Sequence, residues 1–258
     1  MTGGGGFFSV AFAVAGRQVY KYLANPAFLA PAFFPLFFFV AFAGGLTRVG
    51  DVPGFDYEAG YVAFQYVWAL LQAVAMGGAF TGFSIAGDFE NGFDRRLLLA
   101  ASNRQGIIFG YTIASLVRGA LTGALVTVIA LLTGMPMSGG FDLFGLIGLA
   151  VLVNVAATLF GAGVAMLLRT QQAGPVIRTP IFLILFLAPV FVPLELLNGW
   201  LETVARLNPF TTILDAARGF LVGAPTSVLP AYAIGVARVA VFALWSVYAL
   251  RRSEKAGG

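Results

Sequence analysis

The sequence predicts an all-α polytopic membrane protein, and three observations carry that prediction. Of its 258 residues, 59% are hydrophobic and only 10% are charged, where a soluble domain carries about 25% charged residues. The mean hydropathy is +0.91; a soluble fold this poor in charge could not cover its own surface, and a bilayer is the solvent that accepts it. The apolar residues form long unbroken runs, not the short alternating segments of a barrel, and only helices and closed barrels satisfy every backbone group in lipid.

The elements follow in chain order, as one transmembrane domain over 1–258. Residues 7–25 are a poor span, because Arg17, Gln18, Tyr20, Lys21 and Tyr22 crowd the second half while Phe8, Phe12, Val19 and Leu23 share a face. That pattern reads as an amphipathic helix in the headgroup plane rather than the frayed start of the first span. Asn25-Pro26 marks the break that follows. Six apolar runs are then expected to span, at 27–46, 61–86, 107–133, 143–168, 179–197 and 230–250. The fifth is short and carries Pro189 and Pro193. Positive charge follows the first apolar stretch instead of preceding it, so no cleaved signal is expected.

Lys and Arg placement orients the chain. With both termini cytoplasmic, the inside holds Arg17, Lys21, Arg95, Arg96, Arg104, Arg169, Arg178, Arg251, Arg252 and Lys255. The outside holds Arg48, Arg206 and Arg218, and Arg118 and Arg238 fall within spans.

Two polar segments stand out. The first, 88–104, opens with Asp88, Glu90 and Asp94 and continues with Arg95, Arg96 and Arg104; Phe93, Leu97 and Leu98 form an apolar stripe. The residues allow two readings: a short helix that suits a groove on a partner, or a solvated connector held against lipid by its leucines. The second, 195–223, is too polar to cross lipid as a straight helix and too apolar for a wet loop. Two short helices separated by Asn208-Pro209, dipping into the outer leaflet and returning, fit it. Such backbone must be covered by protein or line a water-filled cavity.

Absences exclude several chemistries. Without cysteine or histidine the chain lacks the usual structural zinc ligands, thiol nucleophiles, Ser-His-Asp triads and histidine proton relays. No catalytic or metal-binding residues are expected. The two lysines, Lys21 and Lys255, follow no Gly-rich phosphate-binding run. Any ATP must be bound by another chain.

These segments resemble the type-2 ABC exporter permeases, particularly the branch with daunorubicin-resistance membrane subunits. Arg17 to Asn25-Pro26 is similar to the family's interfacial helix and bend. Asp88, Glu90, Gly92, Leu97-Leu98 and Arg104 are similar to the motif after the second span. Asn208-Pro209-Phe210, then Asp215, Ala216, Arg218, Gly219, Leu221 and Gly223, are similar to the signature before the last span. Where the family loop usually carries Thr-Pro, this chain has Ala101-Ser102-Asn103.

The resemblance implies a permease domain that is not itself an enzyme. It would pair with a second permease subunit, as a homodimer or with a sister subunit. Two copies of an ABC ATPase subunit would bind ATP and Mg beneath them. Asp88, Glu90, Gly92, Phe93, Arg95, Arg96, Leu97, Leu98 and Arg104 would couple to that ATPase. Glu195, Asn208, Pro209, Asp215, Arg218 and Gly219 would form an outer gate. Cargo would leave the cytoplasm or inner leaflet; a drug-like compound or a lipid is the expected class. Membrane lipid is a partner, and nucleic acid is not.

Within the spans, Gln72, Arg118, Asn154 and Arg238 are candidates for the substrate path or for buried polar contacts. A charge at the bilayer centre costs about 2.5–3.5 kcal/mol on insertion scales. Arg118, about three turns from its inner end, is the stronger candidate; Arg238, about two turns from the outer end, has the alternative of snorkelling to the headgroups. Gln72 and Asn154 suit helix–helix hydrogen bonding, and Gly78/Gly82 and Gly119/Gly123 suit close helix packing. The many phenylalanines of the first two spans serve a binding wall less readily than they serve ordinary packing. The alternative function is a secondary transporter or channel, but no Asp or Glu sits centrally in a span to move ions.

Overall fold

The computed structural model describes residues 6–25, 30–93, 103–136 and 140–255. Among these the chain is all-helical, with nine α-helices and no strand. In order they are α1 (Phe7–Ala24), α2 (Ala30–Gly45), α3 (Gly60–Glu90), α4 (Gln105–Leu132), α5 (Phe141–Leu168), α6 (Gly174–Phe186), α7 (Trp200–Leu207), α8 (Pro209–Val222) and α9 (Val228–Lys255).

Four of them, α3, α4, α5 and α9, are long and apolar enough to cross a membrane. They coincide with the second, third, fourth and sixth expected runs. The helix α2 has 16 residues and α6 has 13. At 1.5 Å per residue these are about 24 Å and 20 Å long, short of the about 30 Å hydrocarbon thickness. The run expected at 179–197 is thus helical only to Phe186; a single 3₁₀ turn follows at Leu194–Leu196. Pro189 and Pro193 explain the break, because proline removes a helical donor and disfavours a helical residue before it. The expected pair of short helices at 195–223 is present as α7 and α8, and Asn208 separates them.

The helix α3 is central: its most apolar stretch is 83% buried, with α2, α4, α5 and α6 packed around it. Small residues let neighbours approach. A Cβ on Gly78 would lie 2.5 Å from the Asn154 carbonyl oxygen, and one on Gly82 would lie 2.6 Å from the Gly161 carbonyl. At Gly106 and Gly110 of α4, a Cβ would lie 2.7 Å from the Phe7 carbonyl and 2.5 Å from that of Ala11. The α1 and α4 backbones therefore touch along one face. Phe8, Phe12, Tyr20 and Leu23 on the other face of α1 are exposed.

These contacts give a stability prediction. Gly82→Val must push α3 and α5 apart; overpacking of this kind costs about 1–3 kcal/mol. Its thermal midpoint in lipid nanodiscs should fall clearly below wild type. Gly44→Ala, at a glycine with nothing within 4 Å, should leave the midpoint unchanged. Equal midpoints for the two variants would refute the close-packing account.

Aromatic side chains fill the space between α2, α3 and α6. Phe38 and Trp68 lie edge-on to Phe186, at 5.4 and 4.8 Å between centroids, and Phe182 stacks on Phe186 at 4.1 Å. These rings pack on one another as core.

Candidate functional site

Two groups of polar contacts lie at opposite ends of the bundle. At one end α3 finishes with Asp88, Phe89 and Glu90; Asn91 follows, and Gly92 takes a left-handed φ of 66° that turns the chain out of the helix. Asp88 is 3% exposed. Its Oδ2 accepts hydrogen bonds from Arg17 Nη1 at 2.9 Å, Gln18 Nε2 at 2.9 Å and the Tyr111 hydroxyl at 2.6 Å. Its Oδ1 accepts from Arg17 Nη2 at 2.9 Å and Lys21 Nζ at 2.8 Å. One buried carboxylate thereby joins α1, α3 and α4. A buried charge is tolerable when paired and fully hydrogen-bonded, as this one is.

Partial burial opposes the charge on Arg17, but the Asp88 carboxylate outweighs it and lifts the guanidinium above its ordinary value. The Arg17 guanidinium carbon also lies 3.5 Å from the Phe93 ring centroid. Arg17, Gln18 and Lys21 were expected to face headgroups; Arg17 and Lys21 are about one-third exposed and Gln18 is fully buried.

Glu90 is fully engaged but exposed. Its Oε1 accepts from the Thr170 hydroxyl at 2.8 Å and the Gln171 amide at 2.9 Å, and its Oε2 accepts from Gln171 Nε2 at 2.7 Å. It ties the end of α3 to the turn between α5 and α6. Arg169, beside that turn, donates from Nη2 to the Ser253 carbonyl and hydroxyl at the end of α9. Arg104 forms the N-cap of α4. Arg95, Arg96, Leu97 and Leu98 lie outside the described residues.

At the opposite end the broken chain after α6 leaves carbonyls that helix geometry does not satisfy. Side chains of α3 and α8, with Asn208 at the start of α8, supply the donors. Asn208 Nδ2 donates to the Ile184 carbonyl at 2.7 Å and Trp68 Nε1 to that of Leu185 at 3.1 Å. Arg218 Nη1 donates to the Pro189 carbonyl at 2.8 Å, and Gln65 Nε2 to that of Val190 at 3.0 Å.

Arg218 sits with its guanidinium carbon 3.3 Å from the Phe64 ring centroid, and Asp215 Oδ1 is 3.9 Å from its Nη1. Tyr57 donates to the Arg218 carbonyl at 2.9 Å. Asn208 Oδ1 accepts from the Phe210 amide and caps α8, with Pro209 at its first position. A Cβ at Gly219 would lie 2.8 Å from Pro225 Cα, so the chain folds back over a position that only glycine fits. Glu195 is exposed on the 3₁₀ turn.

The intramembrane candidates divide. Asn154 Nδ2 donates to the Val74 carbonyl at 2.7 Å, and its Oδ1 accepts from Ser115, whose hydroxyl also pairs with that of Thr158. This network holds α3, α4 and α5 together. The Arg118 guanidinium stacks 3.6 Å from the Tyr22 ring centroid and ties α4 to α1. Gln72 is fully buried, and its amide has no hydrogen-bond partner among the described residues. Arg238 lines a cavity between α5, α6 and α9.

The sequence reading missed Gln65, Trp68, Gln18 and Tyr111. Pro189 and Pro193 were a usable signal for the first two, since freed carbonyls in lipid demand donors from facing helices.

A helical bundle with several membrane-length helices and hydrogen-bonded polar clusters at both ends defines a multi-pass membrane protein. The family model for ABC-2 type transporters matches residues 10–222, and the chain belongs to that family. It is also similar to the daunorubicin resistance ABC transporter permease protein of Streptomyces coeruleorubidus, at 24% identity over 199 residues. That match covers 76% of this chain and 67% of the relative.

Proposed function

We propose that this chain is the permease subunit of an ATP-driven exporter that moves a hydrophobic or amphipathic compound outward. A separate ATPase subunit, in two copies, binds ATP and Mg and docks beneath a pair of permeases; this chain holds no ATPase site of its own. The observation that carries the proposal is Asp88. Its carboxylate joins α1, α3 and α4 at the root of the 88–104 segment, so force applied to that segment reaches two membrane-length helices and the helix packed against them. In this reading the Asp88 end is cytoplasmic, as are both termini, and α1 lies in the headgroup layer of the plasma membrane. The shorter α2 and α6, with their flanking residues, complete six crossings. The pair α7 and α8 dips into the outer leaflet and closes the exit. A drug-like or lipid cargo agrees with the relative's link to daunorubicin resistance and with the predominantly apolar composition.

Glu90→Lys tests the coupling. The substitution removes three hydrogen bonds to Thr170 and Gln171 and reverses the charge at the root of the segment. With a partner ATPase subunit co-purified, the variant should insert normally and keep ATP hydrolysis. Export should fall about tenfold, a barrier change of about 1.4 kcal/mol. Wild-type export from Glu90→Lys would end the coupling assignment.

A further inference from the structure

We propose that the cavity beside Arg238 holds an acyl chain of an acidic phospholipid, with the lipid's anionic headgroup on the Arg238 guanidinium. The cavity has a volume of ≈ 90 Å³ and an almost wholly apolar lining, including Leu152 and Ala156 of α5, Ile184 of α6 and Phe242 of α9. Arg238 is its single charged wall residue. Among the described residues no carboxylate or hydrogen-bond acceptor meets that guanidinium. An unpaired cation within a span calls for an anion. The cavity is smaller than the about 300–1,000 Å³ of drug-sized sites, yet it has room for a run of methylene groups. A chain-bearing anion satisfies both features at once.

Depth points to the same occupant. Arg238 lies ten residues into α9, about 15 Å from the helix start at 1.5 Å per residue. Helix side chains lean toward the N-terminal end of their helix. On the orientation proposed above, on which this inference rests, that end is the outer one. The guanidinium then leans toward the outer headgroups, and the cavity wall runs along α9 from Gly235 past Arg238 to Phe242. Basic residues between membrane helices recognise acidic headgroups by the same physics.

The test uses the full chain in nanodiscs of equal phosphatidylglycerol and phosphatidylcholine, followed by gentle extraction and native mass spectrometry. Wild type should retain phosphatidylglycerol over phosphatidylcholine by about tenfold, a difference of about 1.4 kcal/mol. Arg238→Gln should lose that preference and Arg238→Lys should keep most of it. Ala156→Phe, which fills the cavity and leaves the charge, should reduce the number of lipids retained. An unchanged preference in Arg238→Gln, or none in wild type, overturns the proposal. Retention of a co-purified non-lipid amphiphile that Arg238→Gln abolishes would make the cavity a cargo site and overturn it equally. The assay needs neither ATPase nor transport, so it stands apart from the coupling reading. Orientation is read separately. The chain has no cysteine, so one introduced at Ser227 should react with an impermeant maleimide added outside.

Discussion

Replacing Arg218 with methionine is expected to destabilise the subunit by about 2–4 kcal/mol, the largest effect foreseen for any single side chain at its end of the bundle. The change strands the Pro189 carbonyl, whose bond at 2.8 Å comes from this guanidinium. A buried acceptor left without a donor costs about 1–3 kcal/mol. The cation over Phe64 adds up to about 2 kcal/mol when desolvated. Relief from burying the guanidinium offsets part of the sum. Val190 keeps its bond from Gln65, so the loss falls on Pro189 and on the seat of α8. Thermal unfolding in lipid nanodiscs measures it. Arg218→Lys should recover less than half, because a single ammonium cannot reproduce the guanidinium fork over Phe64, Pro189 and Val190. A midpoint within about 1 °C of wild type for Arg218→Met would contradict this account.

Asp88→Asn is the second. Asparagine keeps one acceptor oxygen and turns an amide donor either on Arg17 Nη2 and Lys21, or on Arg17 Nη1, Gln18 and Tyr111, all of which now donate. Breaking a buried pair costs about 3–5 kcal/mol. Arg17 and Lys21 are about one-third exposed and can turn to headgroups, so we take the low end, about 3 kcal/mol. The helix α1 should then leave α4 roughly a hundredfold more often, at about 1.4 kcal/mol per tenfold. A cysteine at Ala15, a buried position of α1, reports this directly. Maleimide should label it quickly in Asp88→Asn and slowly in the wild-type background. In the assembled transporter the same variant should lose most of its export while the ATPase still turns over. Equal labelling rates would show that α1 does not depend on the carboxylate.

Much of the bundle was legible because its signals are local. Length and hydropathy located α3, α4, α5 and α9 to within a few residues. Asn208-Pro209 marked the junction of α7 and α8, since Asn caps and Pro starts a helix through their own chemistry. The fifth run was harder. Its hydropathy continues past Phe186, and only the spacing of Pro189 and Pro193 shows where the helix ends.

The partners of the site residues were not legible. Asp88 and Arg17 are 71 residues apart and Arg218 and Phe64 are 154 apart; no periodicity links such positions. The sequence alone groups Asp88 with the other charged residues of the 88–104 segment and gives no sign that it is buried. Its burial follows from Gly106 and Gly110 drawing α1 against α4, which carries Arg17, Gln18 and Lys21 over the carboxylate. That glycine spacing opens α4 in plain sight, but it resembles the spacings at Gly78/Gly82 and Gly119/Gly123, and nothing local says which helix each one receives.

The interruption after α6 looks like a place for the chain to bend. Its carbonyls are instead gripped by donors from α3 (Gln65 and Trp68) and α8 (Arg218), and by Asn208 at the start of α8. A segment whose carbonyls at Ile184, Leu185, Pro189 and Val190 are held by its neighbours has little private flexibility. Residues 184–190 and 208–218 should therefore move as one stiff block with the adjoining turns of α3, and their amide protons should exchange with a common opening rate.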